Sequence, residues 1–271
     1  MLNLSLSKFK SQYLRKKNQS IYYSIRTSGE KEIENLINNF LVEKDSFCFE
    51  SVEKGFIKGR YTIFGKKPDK IWEFNNSNCK LFNKDKVIQL KGTPKENIEK
   101  IIEEFNFDIP KGLPPISSIL SGYFSYDIIR YIEKIPNSTK NDLNIPDSRI
   151  LRPKNIIVHD NYEKKLFFIV NIFKDEKIKN FKKKFSEINN QIEEMVFLSN
   201  YSSSFVEKNI KKLIKIKSNI SKKKFIKNVK KAKKYIKIGD IFQVVLSQRF
   251  ECKLNKKPIE IYKKLRKTNP S

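Results

Sequence analysis

The sequence has few of the histidines and cysteines on which many catalytic sites, metal sites and disulfide-stabilised folds depend. Its one histidine, His159, has no second histidine and no nucleophile motif nearby. One imidazole does not make a catalytic constellation, so we expect a structural or solvent-facing role for it. The three cysteines, Cys48, Cys79 and Cys252, lie far apart and form neither a CxxC pair nor a disulfide framework. A reducing compartment is therefore predicted.

Long apolar runs are also missing. No apolar stretch reaches the roughly 18 residues that a membrane-spanning helix needs. Residues 1–17 alternate Leu, Ser and Lys without the continuous apolar centre of a signal peptide. The sequence thus predicts a soluble, cytoplasmic protein that does not engage a membrane.

Acidic residues are scarce relative to basic ones. The chain has 57 Lys and Arg against 30 Asp and Glu, a formal net charge of +27. Because the excess is mostly Lys scattered beside abundant Asn and Ile, and Arg-rich runs with interleaved aromatics are missing, compositional bias explains it better than nucleic-acid binding does. A basic module for RNA or anionic membrane is the less favoured alternative.

The chain nevertheless has what a folded protein requires. Its 271 residues suffice for one large domain or two ordinary ones with a real core. Although the apolar share is only 38%, 21 Phe and 11 Tyr supply bulky side chains that disordered chains lack. We expect a folded protein.

Apolar residues recur at helical spacing in several segments. Ser28 is the candidate N-cap of the first helix and Ser221 that of the fourth, which Gly239 is placed to end in a left-handed conformation. Pro258 suits the first turn of the last helix. The predicted helices cover residues 30–41, 97–105, 178–195, 221–238 and 259–266.

Alternating segments predict strands between these helices. Residues 46–51 with 60–65, and 155–158 with 166–173, read as two antiparallel hairpins. Residues 119–127 predict a buried strand in which Gly122 allows close backbone approach and Asp127 caps the following turn. Residues 239–250 predict a further strand. Antiparallel hairpins mixed with amphipathic helices predict the α+β class.

Glu50 stands in an unusual place for a carboxylate, directly after the apolar run Phe47, Cys48 and Phe49. A charge among apolar side chains is costly unless it is paired. We therefore expect Glu50 to meet a cation of the protein, with Lys58 and Arg60 as candidates, or the ammonium of a ligand.

Several short motifs follow one another along the chain. They are Phe-Glu-Ser at 49–51, Gly-Arg-Tyr-Thr-Ile-Phe-Gly at 59–65, Gly-Tyr-Phe-Ser-Tyr-Asp at 122–127, Arg-Tyr-Ile-Glu at 130–133, Asp-Leu at 142–143 with Pro-Asp at 146–147, Tyr-Ile at 235–236 leading through 239–250, Leu-Arg at 265–266 and Asn-Pro-Ser at 269–271. Taken in this order, they resemble anthranilate synthase component I, a chorismate-utilising enzyme family. Each motif is weak alone, but their shared order and similar spacing over roughly residues 30–271 make the resemblance specific.

The resemblance implies a fold of packed antiparallel β-sheets flanked by helices, present here in incomplete form. It implies an N-terminal region over residues 1–198 and the start of the chorismate-binding domain over 221–271. The Ser-, Asn- and Lys-rich composition of residues 199–220 predicts a linker between them. In the family, Asn-Pro-Ser leads into most of that domain, with its catalytic and metal-binding residues. We therefore expect an N-terminal fragment that has neither catalytic residues nor metal ligands of its own and is inactive alone.

The family's reaction is the formation of anthranilate and pyruvate from chorismate and ammonia in tryptophan biosynthesis. The resemblance implies Mg²⁺, bound beyond residue 271, and a glutamine amidotransferase partner, component II, that supplies the ammonia. The alternative is aminodeoxychorismate synthase component I. That relative usually has Tyr-Gln-Val-Asn-Leu where this chain has Phe-Gln-Val-Val-Leu at 242–246, which favours the anthranilate enzyme.

The resemblance also implies a feedback site for tryptophan. The residues that it points to are Glu50, for the ligand's ammonium, with Ser51, Asn269, Pro270 and Ser271; Lys58 or Arg60 is the candidate partner of the ligand's carboxylate. For Gln243 and Ser247 on the predicted strand, we expect a structural role rather than substrate contact.

Overall fold

The structure, a computed structural model, describes residues 2–50, 59–83, 86–137, 141–202 and 215–268. The chain divides into two compact units. One comprises residues 1–203 together with 265–271, and the other comprises residues 204–264.

The first unit is built on an eight-stranded sheet in which every pairing is antiparallel. The strand order is β1-β8-β7-β3-β4-β5, while β2 also pairs with β3 and β6 with β7. The strands are β1 (Gln19–Arg26), β2 (Phe47–Phe49), β3 (Tyr61–Asn75), β4 (Asn78–Asn83), β5 (Lys86–Gln89), β6 (Ser121–Phe124), β7 (Ser148–Asp160) and β8 (Lys165–Ile172).

Both hairpins predicted from alternation are confirmed. Strand β2 pairs with β3 from Phe47 opposite Gly65 to Phe49 opposite Ile63. Strands β7 and β8 pair from Asn155 opposite Val170 to Asp160 opposite Lys165. Nearly all of β8 is buried, because helices cover one face of the sheet while loop residues cover the other.

Within the described ranges, four α-helices lie wholly in this unit: α1 (Leu6–Leu14), α2 (Glu30–Asn39), α3 (Pro94–Glu104) and α4 (Phe181–Asn200). Helix α4 packs on β1 and β8 and contacts α1 and α2. Helix α3 begins with a capping box in which Thr93 and Glu96 each bind the other's backbone N–H. The predicted helices over 30–41, 97–105 and 178–195 are thus confirmed, with somewhat different bounds.

The predicted N-cap of α2 is wrong. Gly29, not Ser28, occupies that position, with φ +82° and no side-chain cap. A Cβ at Gly29 would lie 2.3 Å from Nε2 of His159, so the helix starts against the buried imidazole. A glycine serves here because it tolerates the left-handed backbone and needs no space above the ring.

Lys66 is the most deeply buried cation among the described residues. Its side chain on β3 is 0% exposed, and its Nζ lies 2.6 Å from Oε1 of Glu43 and 2.8 Å from Oε1 of Glu194. The same Nζ lies 4.7 Å from the centre of the Phe40 ring. Two carboxylates and an aromatic face thus replace the water that this ammonium loses.

The segment predicted as a buried strand over residues 119–127 differs in the structure. Only Ser121–Phe124 form a strand, β6, which pairs with β7, and three of its four residues are exposed. A 3₁₀ helix, Tyr126–Tyr131, follows Ser125 at the N-cap position, so Asp127 is not the cap. The close approach at Gly122 is confirmed, since a Cβ there would lie 2.0 Å from the carbonyl oxygen of Arg149.

The second unit contains helix α5 (Lys222–Lys237) and a two-stranded antiparallel sheet of β9 (Ile216–Ser218) and β10 (Phe250–Cys252). Ser221 caps α5 by accepting the N–H of Lys224, and Gly239 follows the helix with φ +82°, both as predicted. Helix α6 (Pro258–Thr268) begins at the predicted proline and carries the chain from this unit back into the first.

The strand predicted over residues 239–250 is wrong except at its last residue. Phe250 belongs to β10, but residues 241–249 form no strand, and Phe242 is 99% exposed. Gln243 and Ser247 are exposed and do not share a strand face. The predicted linker over 199–220 contains the end of α4 and β9, while residues 203–214 lie outside the described ranges. The domain limits stay a prediction.

No helix within the described ranges combines the length and the apolar character needed to cross a membrane.

Candidate functional site

Glu50, the first residue of the feedback site predicted from the sequence, directly follows strand β2. The ring of Phe47 lies over Gly65 of β3, where a Cβ would come within 2.2 Å of it. The rings of Phe47 and Phe49 are 5.0 Å apart between centroids. Because Gly65 leaves room for Phe47, this short strand settles on β3 and the chain reaches Glu50 at a fixed position.

Glu50 is bound by Arg266 from the last turn of α6. Nε of Arg266 lies 2.7 Å from Oε2 and its Nη2 lies 2.6 Å from Oε1, a bidentate contact between residues 216 positions apart. The carboxylate side chain is 4% exposed and the arginine side chain 31%. The expected cation of the protein is thus present in Arg266, a residue that was not among the candidates named from the sequence, while Lys58 lies outside the described residues.

Arg60, one of those candidates, is bound elsewhere. Its Nη2 lies 2.8 Å from Oδ2 of Asp160 and its Nε 3.2 Å from each carboxylate oxygen. The guanidinium carbon is 4.8 Å from the ring centre of Tyr61 and 5.4 Å from that of Tyr162. The structure therefore does not bring Arg60 to Glu50.

Asp160 closes the turn between β7 and β8 as well as binding Arg60. Its Oδ1 accepts the backbone N–H groups of Tyr162 and Glu163 at 2.9 and 3.1 Å. Burial alone would raise the pKa of this carboxyl, but the hydrogen bonds from Arg60 and from the two backbone N–H groups outweigh it and hold the pKa below its usual value. This is a structural ion pair at one end of the sheet.

The remaining residues predicted for the feedback site cannot be placed. Ser51, Lys58, Asn269, Pro270 and Ser271 lie outside the described residues. What the structure does bring together are residues next to both motifs, because Glu50 directly precedes Ser51 and Arg266 lies three positions before Asn269.

The motifs over residues 122–147 form a hydrogen-bonded corner beside β6. Asp147 accepts the hydroxyl of Tyr131 at 2.8 Å and the N–H of Asn76 at 2.7 Å. Arg130 binds Asp127 at 3.0 Å and also donates to two backbone carbonyls that follow it. These motif residues therefore have a structural role that their sequence spacing alone did not reveal.

His159 is buried and structural, one of the two roles expected for it. Its Nε2 lies 3.4 Å from the carbonyl oxygen of Thr27, beneath Gly29. Burial lowers its pKa, since the contact with Thr27 only partly offsets the cost of placing a charge there. The imidazole is therefore not arranged as a catalytic base.

A cleft of about 890 Å³ along the start of α4 is a feature that sequence reasoning missed. Its floor is an ion-pair network in which Arg152 binds Asp69 and Asp175, and Lys154 binds Glu176. Because these cations are matched by carboxylates, the floor of the cleft is largely neutralised. No sequence motif marks it, since its lining comes from β3, β4, β5, β7, the loop before α4 and α4 itself.

A magnesium site does not fit the part of the chain that the structure describes. Within those ranges, no group of three or more His, Cys, Asp or Glu side chains is placed to hold a metal ion. No chemical step involving a metal is therefore assigned to the described residues.

Comparison with known proteins gives the family. The family described as chorismate binding enzyme matches residues 44–271. This chain belongs to the chorismate-binding enzymes. The match covers the β2–β3 hairpin, both motifs around Glu50 and Arg266, and the whole second unit.

Most of this chorismate-binding enzyme aligns with its relatives, but the alignment covers only about half of each relative. It is 29% identical over 262 residues to anthranilate synthase component 1 of Cereibacter sphaeroides, covering 94% of this chain and 52% of that protein. It is 34% identical over 236 residues to anthranilate synthase component 1 of Acetivibrio thermocellus, covering 84% and 48%. The chain thus spans about half the length of the curated relatives it matches.

A solved structure supports the fold. Anthranilate synthase component I from Streptococcus pneumoniae TIGR4 aligns with a TM-score of 0.62 at 23% identity, over 85% of this chain and 49% of that one. The α+β class with an antiparallel sheet flanked by helices, predicted for a chorismate-utilising enzyme, is therefore confirmed.

Proposed function

We propose that this chain works as part of the large component of an anthranilate synthase, in tryptophan biosynthesis. The observation that carries the proposal is the similarity to relatives named anthranilate synthase component 1 over as much as 94% of the chain. Membership of the chorismate-binding enzymes agrees with chorismate as the substrate.

The proposed reaction joins chorismate and ammonia and releases anthranilate, pyruvate and water. Ammonia forms a C–N bond to the ring and the ring hydroxyl leaves as water. The enolpyruvyl ether then breaks to give pyruvate, and loss of a ring proton makes the ring aromatic. A general acid assists departure of the hydroxyl, and Mg²⁺ binds the anionic substrate. We assign both to the half of the relatives' length that this chain does not span.

Ammonia is proposed to come from glutamine through a partner amidotransferase, component II. The relatives are named as component 1, which is consistent with a second component. Free ammonium at high concentration should therefore replace glutamine and the partner in an assay.

The same chain is proposed to carry part of a tryptophan feedback site around Glu50, Ser51 and residues 269–271. The contact of Glu50 with Arg266 supports this, because it brings Glu50 of the first motif beside a residue three positions before the second. Feedback of this kind is a coupling between two sites, so tryptophan must favour a state that binds chorismate less well.

The reaction can be tested by joining this chain in frame to the unmatched second half of the Acetivibrio thermocellus relative. With chorismate, ammonium and Mg²⁺, we expect equal amounts of anthranilate, read by fluorescence, and pyruvate, read by a coupled assay. Each half alone is the control, and the two halves mixed in solution provide a second format. Aminodeoxychorismate as the product, or no product in either format, would contradict the proposal.

The feedback site can be tested in the same fusion. Glu50→Ala and Ser51→Ala should each raise the tryptophan concentration that halves anthranilate formation. Unchanged inhibition in both variants would show that the site lies elsewhere.

A further inference from the structure

We propose that the cleft along the start of α4 binds an oligophosphate, a short chain of phosphate groups that is either free or forms the tail of a small metabolite. The cleft lies wholly in the first unit, and all of its lining residues belong to the described ranges. It contains neither motif of the proposed feedback site, so the inference does not depend on the proposed reaction or its regulation.

The first observation is the density of cations in the lining. Eight of the fifteen lining residues are Lys or Arg, against 57 of 271 in the whole chain. Four are Asp or Glu, which gives the lining a formal charge of +4. The general lysine bias of the chain does not account for such a concentration. A cleft with an excess of one charge attracts ions of the opposite charge.

The second observation is that two of these cations share one carboxylate inside the cleft. The Nζ atoms of Lys154 and Lys184 lie 2.7 and 3.2 Å from Oε2 of Glu176, and their side chains are 17% and 19% exposed. Oε1 of Glu176 accepts the backbone N–H of Phe173. Burial lowers the pKa of Lys154 more than Glu176 raises it, and Lys184 adds to the lowering. A further anion here would stabilise both ammonium groups.

The third observation concerns three more lysines that line the same cleft, Lys177, Lys179 and Lys183. All three are exposed. Within the described residues, none of their ammonium groups takes part in an ion pair or a hydrogen bond. They come from the loop before α4 and from its first turn, where Lys183 directly precedes Lys184. One ligand can therefore meet buried and exposed ammonium groups together.

The fourth observation indicates phosphate rather than carboxylate. Arg152, the one arginine of the lining, binds Asp69 through two nitrogens and also binds Asp175. The guanidinium, the group that best matches a planar carboxylate, is thus engaged by the protein's own carboxylates. The other cations are lysines. An ammonium is a compact point charge on a flexible stem, and several of them can surround the tetrahedral oxygens of phosphate groups.

The fifth observation indicates a compact ligand rather than a nucleic acid. Single-stranded nucleic acids bind by stacking their bases on aromatic side chains. Ile178 is the one large apolar residue among the lining residues, and none of them is aromatic. A cleft of about 890 Å³ with this lining accommodates a small ion of high charge, for which electrostatic attraction supplies most of the binding.

The test is equilibrium dialysis of the full 271-residue chain against inorganic triphosphate in magnesium-free buffer at about 0.15 M salt, where attraction between distant charges is screened. Bound phosphate is measured after acid hydrolysis. Adenosine triphosphate is the second ligand. Tighter binding of the nucleotide would identify the tail of a metabolite as the natural ligand, and tighter binding of triphosphate would identify the free anion. Orthophosphate and citrate, a compact tricarboxylate, are the comparison anions.

The test variant combines Lys179→Gln with Lys183→Gln and removes two lining charges. The matched control combines Lys174→Gln with Lys182→Gln. These two lysines are exposed and belong to the same loop and helix, but they do not line the cleft. Both double variants lower the net charge of the chain equally, so they separate a local site from attraction to the whole basic surface.

We expect wild type to bind triphosphate more tightly than citrate or orthophosphate. The lining variant should weaken triphosphate binding roughly ten- to a hundredfold, the effect of losing contacts between charged groups. The control should stay within about twofold of wild type, because its charges lie outside the cleft and are screened by salt.

Three results would overturn the proposal: no binding of triphosphate by wild type, binding of citrate as tight as that of triphosphate, or the same triphosphate affinity in both double variants. The last result would show attraction to the basic surface in general. Urea unfolding of the lining variant checks that its fold is kept. Should that variant unfold more readily than wild type, the single substitution Lys177→Gln provides an independent measure, with Lys174→Gln alone as its control.

Discussion

The first unit contains two ion pairs of similar construction, and their differences separate a structural pair from a candidate binding pair. In both, the carboxylate is nearly buried and the arginine is about one-third exposed: 2% and 35% for Asp160 and Arg60, and 4% and 31% for Glu50 and Arg266. Asp160 lies opposite Tyr61 in the sheet and also receives two backbone N–H groups of its own turn. Glu50 instead follows the end of a three-residue strand and meets a distant helix.

The comparison teaches that burial of a carboxylate does not by itself reveal its role. The pair of Arg60 and Asp160 lies where β3 begins and β7 ends, so we expect it to stabilise the pairing of these two strands. The Arg266 pair joins segments that strand pairing does not hold together, so we expect it to contribute less to the stability of the sheet. Unfolding and titration measurements can separate the two.

The largest effect is expected from Asp160→Asn. The substitution removes the charge that Arg60 meets and weakens the acceptor of two backbone N–H groups, so we expect a loss of about 2–3 kcal/mol in the free energy of unfolding. Urea unfolding at pH 7 measures it. Glu163→Gln is the control, since its carboxylate lies 3.9 Å from Arg60 and is 44% exposed. A loss for Asp160→Asn no larger than that of the control would contradict the structural role.

A smaller loss, about 1–2 kcal/mol, is expected for Glu50→Gln. The amide can keep one hydrogen bond to Arg266, and the arginine is exposed enough to be hydrated when the charge is lost. The same urea experiment compares the two variants directly. A loss equal to that of Asp160→Asn would mean that both pairs are structural.

A third effect separates the titration of Asp160 from that of its neighbour His159. Because burial lowers the pKa of His159 in the folded chain, the unfolded chain binds a proton first, and stability should fall as the pH drops below about 6.5. His159→Gln should remove this loss. Asp160, whose pKa is lowered on folding, should lose its contribution only below about pH 4.

The measurement is urea unfolding from pH 7 to pH 3 for wild type and His159→Gln. The variant should show a flatter profile between pH 6.5 and 4.5, while the fall below about pH 4 should persist. A wild-type profile without a slope above pH 5 would rule out the buried, uncharged imidazole.

The smallest effect is expected from Arg249→Gln in the second unit. Arg249 and Glu251 lie 2.9 Å apart but are 36% and 58% exposed. Exposed pairs contribute little, so the free energy of unfolding should change by less than about 0.5 kcal/mol. A larger change would show that exposure is a poor guide to the difference between the other two pairs.

Local patterns in the sequence predicted much of the first unit. Helices α2, α3 and α4 and the hairpins β2–β3 and β7–β8 follow from apolar spacing, because each of them buries apolar side chains of its own. Strands β1, β4 and β5 are not predicted by the sequence patterns above. For β1 and β4 a signal is present: Ile, Tyr and Ser alternate loosely over 19–26, and Asn75 and Asn76 mark the turn from β3 into β4.

What local patterns could not supply was the pairing of distant residues. Arg266 lies 216 positions after Glu50, and no local pattern in either segment indicates that the two residues pair. The strand predicted over 239–250 failed for a related reason. An alternating segment becomes a strand only where another strand completes its hydrogen bonds, and only Phe250 has such a partner within the described ranges.

The chemical reactivity of Lys66 can report how often the folded chain opens, because its side chain is fully buried. Amine-directed reagents modify lysines that water can reach, and a side chain with no exposed surface, enclosed by Glu43, Glu194 and Phe40, is protected while the sheet is intact. Most of the chain's lysines would be modified quickly, whereas Lys66 would react only when β3 separates from α4. Pulse labelling followed by peptide mass mapping would therefore record, at one residue, how often the fold opens.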